Sequence, residues 1–396
     1  MKVLLIHQHF NTPQQGGALR SYYLAKSLVD RGVAVAVITG ANIKSIKQEF
    51  IDGIEVHYLP VPYFNRFGFI DRIRSYTHYL MAAARYAKKI RNVNLCYAIS
   101  TPLTTGLVGM WLKRTYGIPY IFEVGDLWPD APVQLGYIKN PVVKNILYGI
   151  EKKIYKQAHS IVALSSAIQK EIDRKVPGKE ISVITNISDV AFFQDEPKRD
   201  DLIEKFGTRG CFVISYIGTL GVANGLDYII ECARACQKAD LRVKFQVCGE
   251  GAVLANLKDA ASRLKLQNVQ FVSFQNRDGV REVMNISDAI FVSYKNVPVL
   301  ETGSPNKYFD GLAAAKLVII NFGGWIKDEI EKEHCGVPLD PRHPTEIVKK
   351  IMPFLEDPHL LRQFQQRARQ LANAKYAREI LGDYFFGVIN NAIDRY

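Results

Sequence analysis

The densest chemistry in the chain lies in "LETGSPNKYFDGLAAAK", Leu300 to Lys316, where a polar, glycine-bearing turn runs into an apolar helical pattern. Glu301, Thr302, Gly303 and Ser304 precede Pro305, and Asn306, Lys307 and Asp310 follow. Pro305 suits a first helical position with Ser304 as its cap, so the free N–H groups of that turn would point at whatever sits above Gly303. Amides at a helix start, with a lysine beside them, favour an anion such as a phosphate. Asp310, one turn further on, could accept two hydrogen bonds from vicinal hydroxyls such as those of a ribose. A plain capped helix would use the same residues, so the decision rests on whether other loops carry matching chemistry.

Three other loops do. "HQHFNTPQQGGALR" places Gly16 and Gly17 at a helix start, where the backbone can approach a ligand closely; His7 and His9 are either contacts or strand-end hydrogen-bond partners. "FEVGDLWPD" ends an apolar run with Glu123 and Asp126, carboxylates that would be costly in a core and belong at a cleft. Asp126 is the best candidate to meet a reacting hydroxyl, with helix capping by Asp126 or Asp130 as the alternative. "YIGTLGVANGLD" gathers Gly218, Thr219, Gly221, Asn224 and Gly225 before a helix, and "CGEG" sets Gly249 and Gly251 after an apolar strand. Neither G-x-G-x-x-G nor GxxxxGK[ST] occurs, so neither a dinucleotide fingerprint nor a P-loop is supported. No D-x-D occurs either, and paired carboxylates are the usual means of holding a divalent ion on a diphosphate. Negative charge would have to be met by helix ends and basic side chains.

Such loops need elements to hold them. Val3–Ile6, Val33–Thr39, "GIEVHYLPV", "LCYAIS", "IPYIFEV" and "SIVALS" are continuous apolar runs, as expected of strands buried on both faces, and they alternate with amphipathic stretches at 18–31, 69–90, 104–114 and 142–158. The pattern restarts at "CFVISYIGTL" and continues through "VKFQVCGEG", "NVQFVSF", "AIFVSY" and "KLVIIN". This predicts an α/β chain with two doubly wound, parallel-sheet domains. The expected boundaries are 1–188, 189–379 and a last helix, 380–396, packing back on the first domain. The stretch "VITNISDVAFFQDEPKRDD" reads as a polar linker. Ligands of such sheets bind beyond the carboxyl ends of the strands, where strand order reverses, which is where these loops fall. Two such sheets would share one cleft.

Composition narrows the partners. The 396 residues, 48% hydrophobic and 23% charged, suit two globular domains, and the net charge of +12 suits an anionic partner. No apolar run approaches the roughly 20 residues of a membrane span, and "MKVLLIHQHF" reads as a first strand, not a signal peptide. The six cysteines show no CxxC pair and are expected as buried free thiols, with no metal site. Arg66, Arg72, Arg74, Arg85, Lys88, Lys89 and Arg91 face a single acid, Asp71, and are interleaved with Phe64, Phe67, Phe69, Ile70, Tyr76, Tyr79 and Leu80. Lys139, Lys144, Lys152, Lys153 and Lys156 form a second group. Basic segments with aromatics suit an anionic membrane surface, so Arg72, Arg74, Lys88 and Lys89 are the candidates for peripheral attachment. Nucleic-acid binding is the rival reading that the charge permits, but no recognised module is present and the basic residues lie beside many aliphatics, so nucleic acid is not the expected partner.

Taken together, "P…GG…LAKSL…RGVAVAVIT", "DLWPD", "VITN", "YIGTL…NGLD", "VCGEG", "NVQFVSF", "SPNKYFDGLAAAK" and "CGVPLDPRHPTEIVKKI" resemble glycosyltransferase family 4, the retaining transferases of GT-B fold, over nearly the whole chain. Within it, the resemblance is closest to transferases of bacterial O-antigen and capsule synthesis, N-acetyl-L-fucosamine transferases among them. The resemblance implies two Rossmann-like domains, a nucleotide-diphospho-sugar donor, UDP in the first instance, and no cofactor or metal. It implies a polyprenyl-diphosphate-linked saccharide acceptor at the cytoplasmic, inner face of the membrane. By the same resemblance Gly16 and Gly17 approach the donor phosphates, Gly303 and Ser304 meet donor sugar and phosphates, Gly249 and Gly251 lie near the nucleoside, and Asp310 matches the second acid of the E-x7-E motif, which binds ribose. The first acid should fall at Thr302, with Glu301 one residue off, so either is the candidate near the donor sugar. The arginine and lysine that grip the diphosphate in relatives correspond to Thr219 and Asn224, leaving Lys307 or Arg20 to substitute. The histidine common before the loop aspartate is Gly125, which is compatible with a 6-deoxy donor sugar. A sugar-nucleotide epimerase of GT-B shape is the enzymatic alternative.

Overall fold

The computed structural model describes residues 1–64 and 67–394; Arg66, assigned above to the basic cluster, lies outside them. The chain divides into two compact units, residues 1–185 with 302–304 and 379–396, and residues 186–301 with 305–378.

In the first unit the described residues form an eight-stranded sheet, built from β1 (Lys2–Ile6), β2 (Ala34–Ala41), β3 (Lys47–Ile51), β4 (Ile54–Pro60), β5 (Leu95–Ile99), β6 (Tyr120–Val124), β7 (Ile161–Ala163) and β8 (Ile181–Val183). Their order is β3-β4-β2-β1-β5-β6-β7-β8, parallel except for the antiparallel β3–β4 pair. Central strands are buried on both faces because helices cover each side; Val3, Leu4, Leu5 and Ile6 have no exposed surface at all. Those helices are α1 (Arg20–Val29), α2 (Phe69–Ala87), α3 (Thr105–Tyr116), α4 (Asp130–Gln134), α5 (Pro141–Gln157) and α6 (Ser166–Lys175). Strand order reverses between β1 and β5, so the loops leaving those two strands open into the same crevice.

β3 was not among the expected strands. Its sequence, "KQEFI", is mostly polar because it is an edge strand with solvent on both faces, and it is registered on β4 by a tight Asp52–Gly53 turn in which both residues have positive φ. That pair of left-handed residues is what a two-residue hairpin requires.

In the second unit, α7 (Asp200–Phe206) precedes β9 (Phe212–Ile217), α8 (Asp227–Lys238), β10 (Val243–Cys248), α9 (Leu254–Arg263), β11 (Val269–Val272), α10 (Arg277–Ile286), β12 (Ala289–Val292), α11 (Asn306–Ala313), β13 (Leu317–Ile320), α12 (Trp325–Lys332), β14 (Gly336–Pro338), α13 (Glu346–Glu356) and α14 (Pro358–Leu371). The described strands form one parallel sheet in the order β11-β10-β9-β12-β13-β14, with its reversal between β9 and β12. Two apolar clusters, one on each face, enclose it. After α14 a π-helical turn, Ala372–Tyr376, leads into α15 (Arg378–Asp394). Residues 379–394 pack in the first unit, where Phe385 meets Tyr97 edge to face at 4.9 Å between ring centres.

The stretch expected as a polar linker is fixed in place. β8 adds a strand to the first sheet at its start. Further on, the Ser188 N–H donates to the Tyr376 carbonyl at 2.8 Å, its hydroxyl donates to the Phe309 carbonyl at 2.9 Å, and Phe193 is buried in the second core. The polar residues of this stretch find their partners elsewhere in the chain, Ser188 on the Phe309 carbonyl, Asp195 on Arg362 and Lys198 on Asp288, which is why composition alone suggested solvent.

Candidate functional site

In the first unit, the ends of β1, β2, β4, β5 and β6 and the first half of α2 surround a cavity of about 550 Å³ lined by Gln8, His9, Asn11, Asn42, Tyr63, Arg72, Tyr76, Thr101, Asp126 and Trp128, among others. One wall is aromatic. His9 meets Tyr63 at 4.4 Å, Tyr63 stacks on Tyr76 at 6.1 Å with planes 12° apart, and Tyr76 meets Trp128 edge to face at 6.2 Å. Aromatic faces beside amides and a carboxylate suit the C–H faces and hydroxyls of a sugar. Asp126 is exposed at the cavity, yet the protein around it desolvates the carboxyl enough to raise it above the usual range, against a hydrogen bond from Thr101. His9 is pushed down to about 4, first by burial and then by the Arg72 charge, so it stands neutral at physiological pH. The Gln8 amide donates to the Ser75 hydroxyl at 2.9 Å, while its buried Oε1 has no protein partner.

Arg72, expected on the membrane side, is placed otherwise. It is half-buried, donates from Nε to the Phe67 carbonyl at 3.0 Å, lies 5.9 Å over the Tyr63 ring, and brings positive charge to the cavity wall. Arg74 is exposed on α2, and Lys88 and Lys89 are exposed just past its end, with Lys88 5.7 Å from the Trp111 ring centre.

Arg20 and Glu123 are joined below these loops. Arg20 Nη1 donates to Glu123 Oε2 at 2.5 Å, and its other nitrogens donate to the carbonyls of Thr185 and Ile184 at 2.8 Å each. The Tyr97 hydroxyl donates to the same carboxylate oxygen. Glu123 therefore does not face a cleft, as sequence suggested; its charge is met inside the core by an arginine far away in the chain. Arg20 already holds a carboxylate and two carbonyls. Gly16 is buried in the loop above, its N–H donating to the Thr12 carbonyl at 3.1 Å, and Gly17 is exposed.

In the second unit, the reversal of strand order brings together the loops after β9 and β12 and the start of α11. Lys307 Nζ donates to the Tyr216 hydroxyl at 3.1 Å and sits 4.5 Å over that ring, and the hydroxyl passes its own hydrogen to the Thr219 carbonyl at 2.8 Å. A side chain at Gly218 would meet Lys307 Cε at 3.4 Å, so the lysine lies directly against the β9-end loop. Burial lowers its ammonium to about 8. The Asn224 amide donates to the Thr219 carbonyl at 2.8 Å, and Ser293 donates to the Asn224 carbonyl at 2.7 Å, so these side chains brace the loop. Gly249 and Gly251 lock the β10-end loop onto it: a Cβ on Gly249 would lie 2.0 Å from the Gly218 oxygen and one on Gly251 2.3 Å from the Leu220 oxygen. No side chain fits there.

α11 begins at Asn306, which is exposed, with Pro305 in the N-cap place and no side-chain cap, one residue later than expected. Ser304 is buried; Gly303 lies beside it, and the Thr302 carbonyl accepts from the Ser165 hydroxyl at 2.6 Å. Glu301 fits against Gly323 and Gly324 in the loop after β13, where a Cβ on Gly323 would stand 3.1 Å from its carboxylate. In the sequence that glycine pair shows only its place between a strand and a helix, the same signal as Gly16–Gly17. Asp310 lies one turn below Lys307, half-buried, and is raised to about 7, mainly by burial, with Asp189 adding to the shift and Arg277 opposing it. Arg277 donates to Asp189 and lies 3.7 Å from the Phe192 ring centre. Asp189 and Arg277 come from the supposed linker and from an unremarkable helix start, so nothing in the sequence marked them. Among the described residues no group of three or more His, Cys, Asp or Glu side chains is placed to hold a metal ion, and no helix is long and apolar enough to cross a membrane.

Comparison with known proteins agrees across both units. Residues 15–186 match the family described as "Glycosyl transferase 4-like domain", and residues 198–371 match "Glycosyl transferases group 1". The chain is 19% identical over 289 residues to the alpha-D-kanosaminyltransferase of Streptomyces kanamyceticus, covering 70% of this chain and 72% of that protein. In fold it is similar to sucrose-phosphate synthase of Thermosynechococcus elongatus (TM-score 0.79, 14% identity, all of both chains). It is likewise similar to Anabaena HepE in complex with UDP and glucose (TM-score 0.72, 18% identity, 98% of this chain and 99% of that one).

Proposed function

The chain belongs to the group 1 glycosyl transferases, with a 4-like domain in its first half and two Rossmann-like units of GT-B type, and on that premise we propose the following reaction. A sugar, N-acetyl-L-fucosamine or another N-acetylhexosamine, passes with retention of configuration from a UDP-linked donor to a polyprenyl-diphosphate-linked saccharide in O-antigen or related surface-polysaccharide synthesis. The observation that carries the donor half is Lys307, held over Tyr216 against Gly218 at the point where strand order reverses. HepE, similar in fold, binds UDP, which supports UDP as the nucleotide.

In this reading the bond between the anomeric carbon and the UDP oxygen breaks as the acceptor oxygen attacks from the same face, so no nucleophilic side chain is needed. The acceptor proton leaves with the departing diphosphate. The protein's main contribution is electrostatic: the Lys307 ammonium, the amides at the start of α11 and those near Gly16–Gly17 meet the charge that develops on the leaving group. Asp310 holds the ribose hydroxyls, and Glu301 or Thr302 faces the donor sugar. Asp126 orients the accepting hydroxyl in the aromatic-walled cavity of the first unit, and Arg72 meets negative charge on the acceptor. The diphosphate is neutralised without a metal. The protein works at the inner face of the cytoplasmic membrane, and the exposed Arg74, Lys88 and Lys89 support that placement.

The test is thermal shift against UDP-, GDP- and dTDP-sugars, followed by transfer to lipid-linked acceptors with and without a chelator. Stabilisation by a UDP-sugar and chelator-resistant transfer are expected. No response to any nucleotide sugar would overturn the donor assignment, and loss of turnover with chelator would overturn the metal-free grip. Product formed without acceptor, by epimerisation, would overturn transfer itself.

A further inference from the structure

Two helices of the first unit expose aliphatic side chains at their N-terminal halves. On α2, Ile70 is 65% and Ile73 39% exposed; on α5, Val142, Val143 and Ile146 are 64%, 43% and 57% exposed. Isolated exposed aliphatics are ordinary. These are joined: Phe69 at the start of α2 stacks on Tyr137, just before α5, with ring centres 5.7 Å apart and planes 5° apart. The two N-terminal ends thus meet and form one apolar patch.

The charge around the patch is mostly positive, with Asp71 the exposed acid beside it. Arg74, beside Ile73, keeps 79% of its side chain exposed, with only a long contact of 3.7 Å to Asp71. Lys139 is exposed just before α5 and Lys144 is half-buried in its first turns. Asp71 is the one acid of α2, and Glu151, the one acid of α5, is buried against Lys175. Further along the axes, by roughly 15–25 Å at 1.5 Å per residue, come Arg85 on α2, Lys88 and Lys89 just past its end, and Lys152, Lys153 and Lys156 on α5. Each helix therefore exposes aliphatics, flanked by cations, at its start and closes on a run of basic residues.

We propose that this patch is the membrane-docking face: the aliphatic tips of α2 and α5 enter the headgroup region of an anionic bilayer while Arg74, Lys139 and Lys144 bind lipid phosphates. This rests on the membrane part of the reading above and changes its centre. Lys88 and Lys89, just past the end of α2, supply long-range attraction to the surface, and the aliphatics supply the attachment. An aliphatic surface bordered by cations, with hardly an exposed acid on either helix, matches an anionic bilayer better than a protein partner, which would need its own acidic rim.

The experiment is flotation of the full chain with phosphatidylcholine vesicles with or without phosphatidylglycerol, at low and high salt. Wild type should float with the anionic vesicles and hardly with the neutral ones. Ile73→Asp/Val142→Asp/Ile146→Asp should lose binding about 30-fold or more at every salt concentration, and the gentler Val142→Ser/Ile146→Ser about tenfold. Lys88→Glu/Lys89→Glu should lose a few-fold at low salt and little at high salt. A UDP-sugar thermal shift run on each variant reads folding and the donor site separately, so failure of docking and failure of the transferase reading stay distinct. Wild-type flotation by the folded serine variant would overturn the proposal, as would absence of wild-type flotation on anionic vesicles. So would light scattering showing a dimer that the aspartate variant dissolves, because the face would then be covered by a second copy.

Discussion

Affinity for a UDP-sugar measured between pH 6 and pH 9 should trace a bell. Asp310 titrates near 7, pushed up first by burial and further by Asp189 against the pull of Arg277, and Lys307 titrates near 8 because burial disfavours its charge. A carboxyl with that midpoint is only about one-tenth ionised at pH 6, so a ribose contact that needs the carboxylate should be about tenfold weaker there than near pH 7.5. From about pH 8 the lysine of the free protein loses its charge while bound phosphates keep it protonated to higher pH, and that difference between the two states gives a second fall in affinity. Asp310→Asn should flatten the acid limb and lower the peak about tenfold, the scale of one hydrogen bond to a charged group. Lys307→Met should flatten the alkaline limb. Calorimetry with a UDP-sugar suits the test, because its diphosphate has no proton to titrate in this range. The raised carboxyl also has a sign in stability. Between about pH 4 and pH 7 the folded protein keeps a proton that the unfolded chain has lost, so stability should fall as pH rises through that window, and less so in Asp310→Asn. Affinity that is flat from pH 6 to 7.5, or an acid limb that survives in Asp310→Asn, would refute the assignment.

Three further outcomes follow from the geometry. Asp126→Asn should reduce transfer about 100-fold or more while leaving UDP-sugar affinity within about twofold, as expected when a group orients the acceptor alone; equal loss in both, seen by calorimetry and product assay, would count against that role. Glu123→Gln leaves Arg20 buried with its charge unmatched, and denaturant unfolding should show a loss of about 3–5 kcal/mol, with no comparable loss contradicting the buried ion pair. Gly249→Ala places a methyl on the Gly218 oxygen and should cost roughly 3 kcal/mol in the second unit, whereas wild-type stability would mean the two loops are not so closely packed.

How much could be read from the sequence depended on how local the cause was. Strands buried on both faces declare themselves as apolar runs, so the two parallel sheets and the loops at their reversals were legible, as were the glycines whose backbones touch. β3 was not, because an edge strand solvated on both sides carries no apolar signal, and neither was the fixed path of Ser188 and Phe193, whose partners lie far off in the chain. The same reason hid the aromatic wall of the first cavity. Tyr76 read as part of a basic, membrane-facing stretch until the fold turned it, with Arg72, toward Tyr63, His9, Asp126 and Trp128. Glu123 drew notice as a carboxylate in an apolar strand; that its answer was Arg20, over 100 positions away, needed coordinates.

The account stands on a donor diphosphate held at the β9 end by Lys307. The most direct measurement is the affinity of wild type and Lys307→Met for a UDP-sugar and for uridine, side by side in one buffer at pH 7. The expected result is a loss of about 100-fold for the UDP-sugar and almost none for uridine, since only the former carries the charge the lysine meets. Equal losses for both, or none for either, would contradict it.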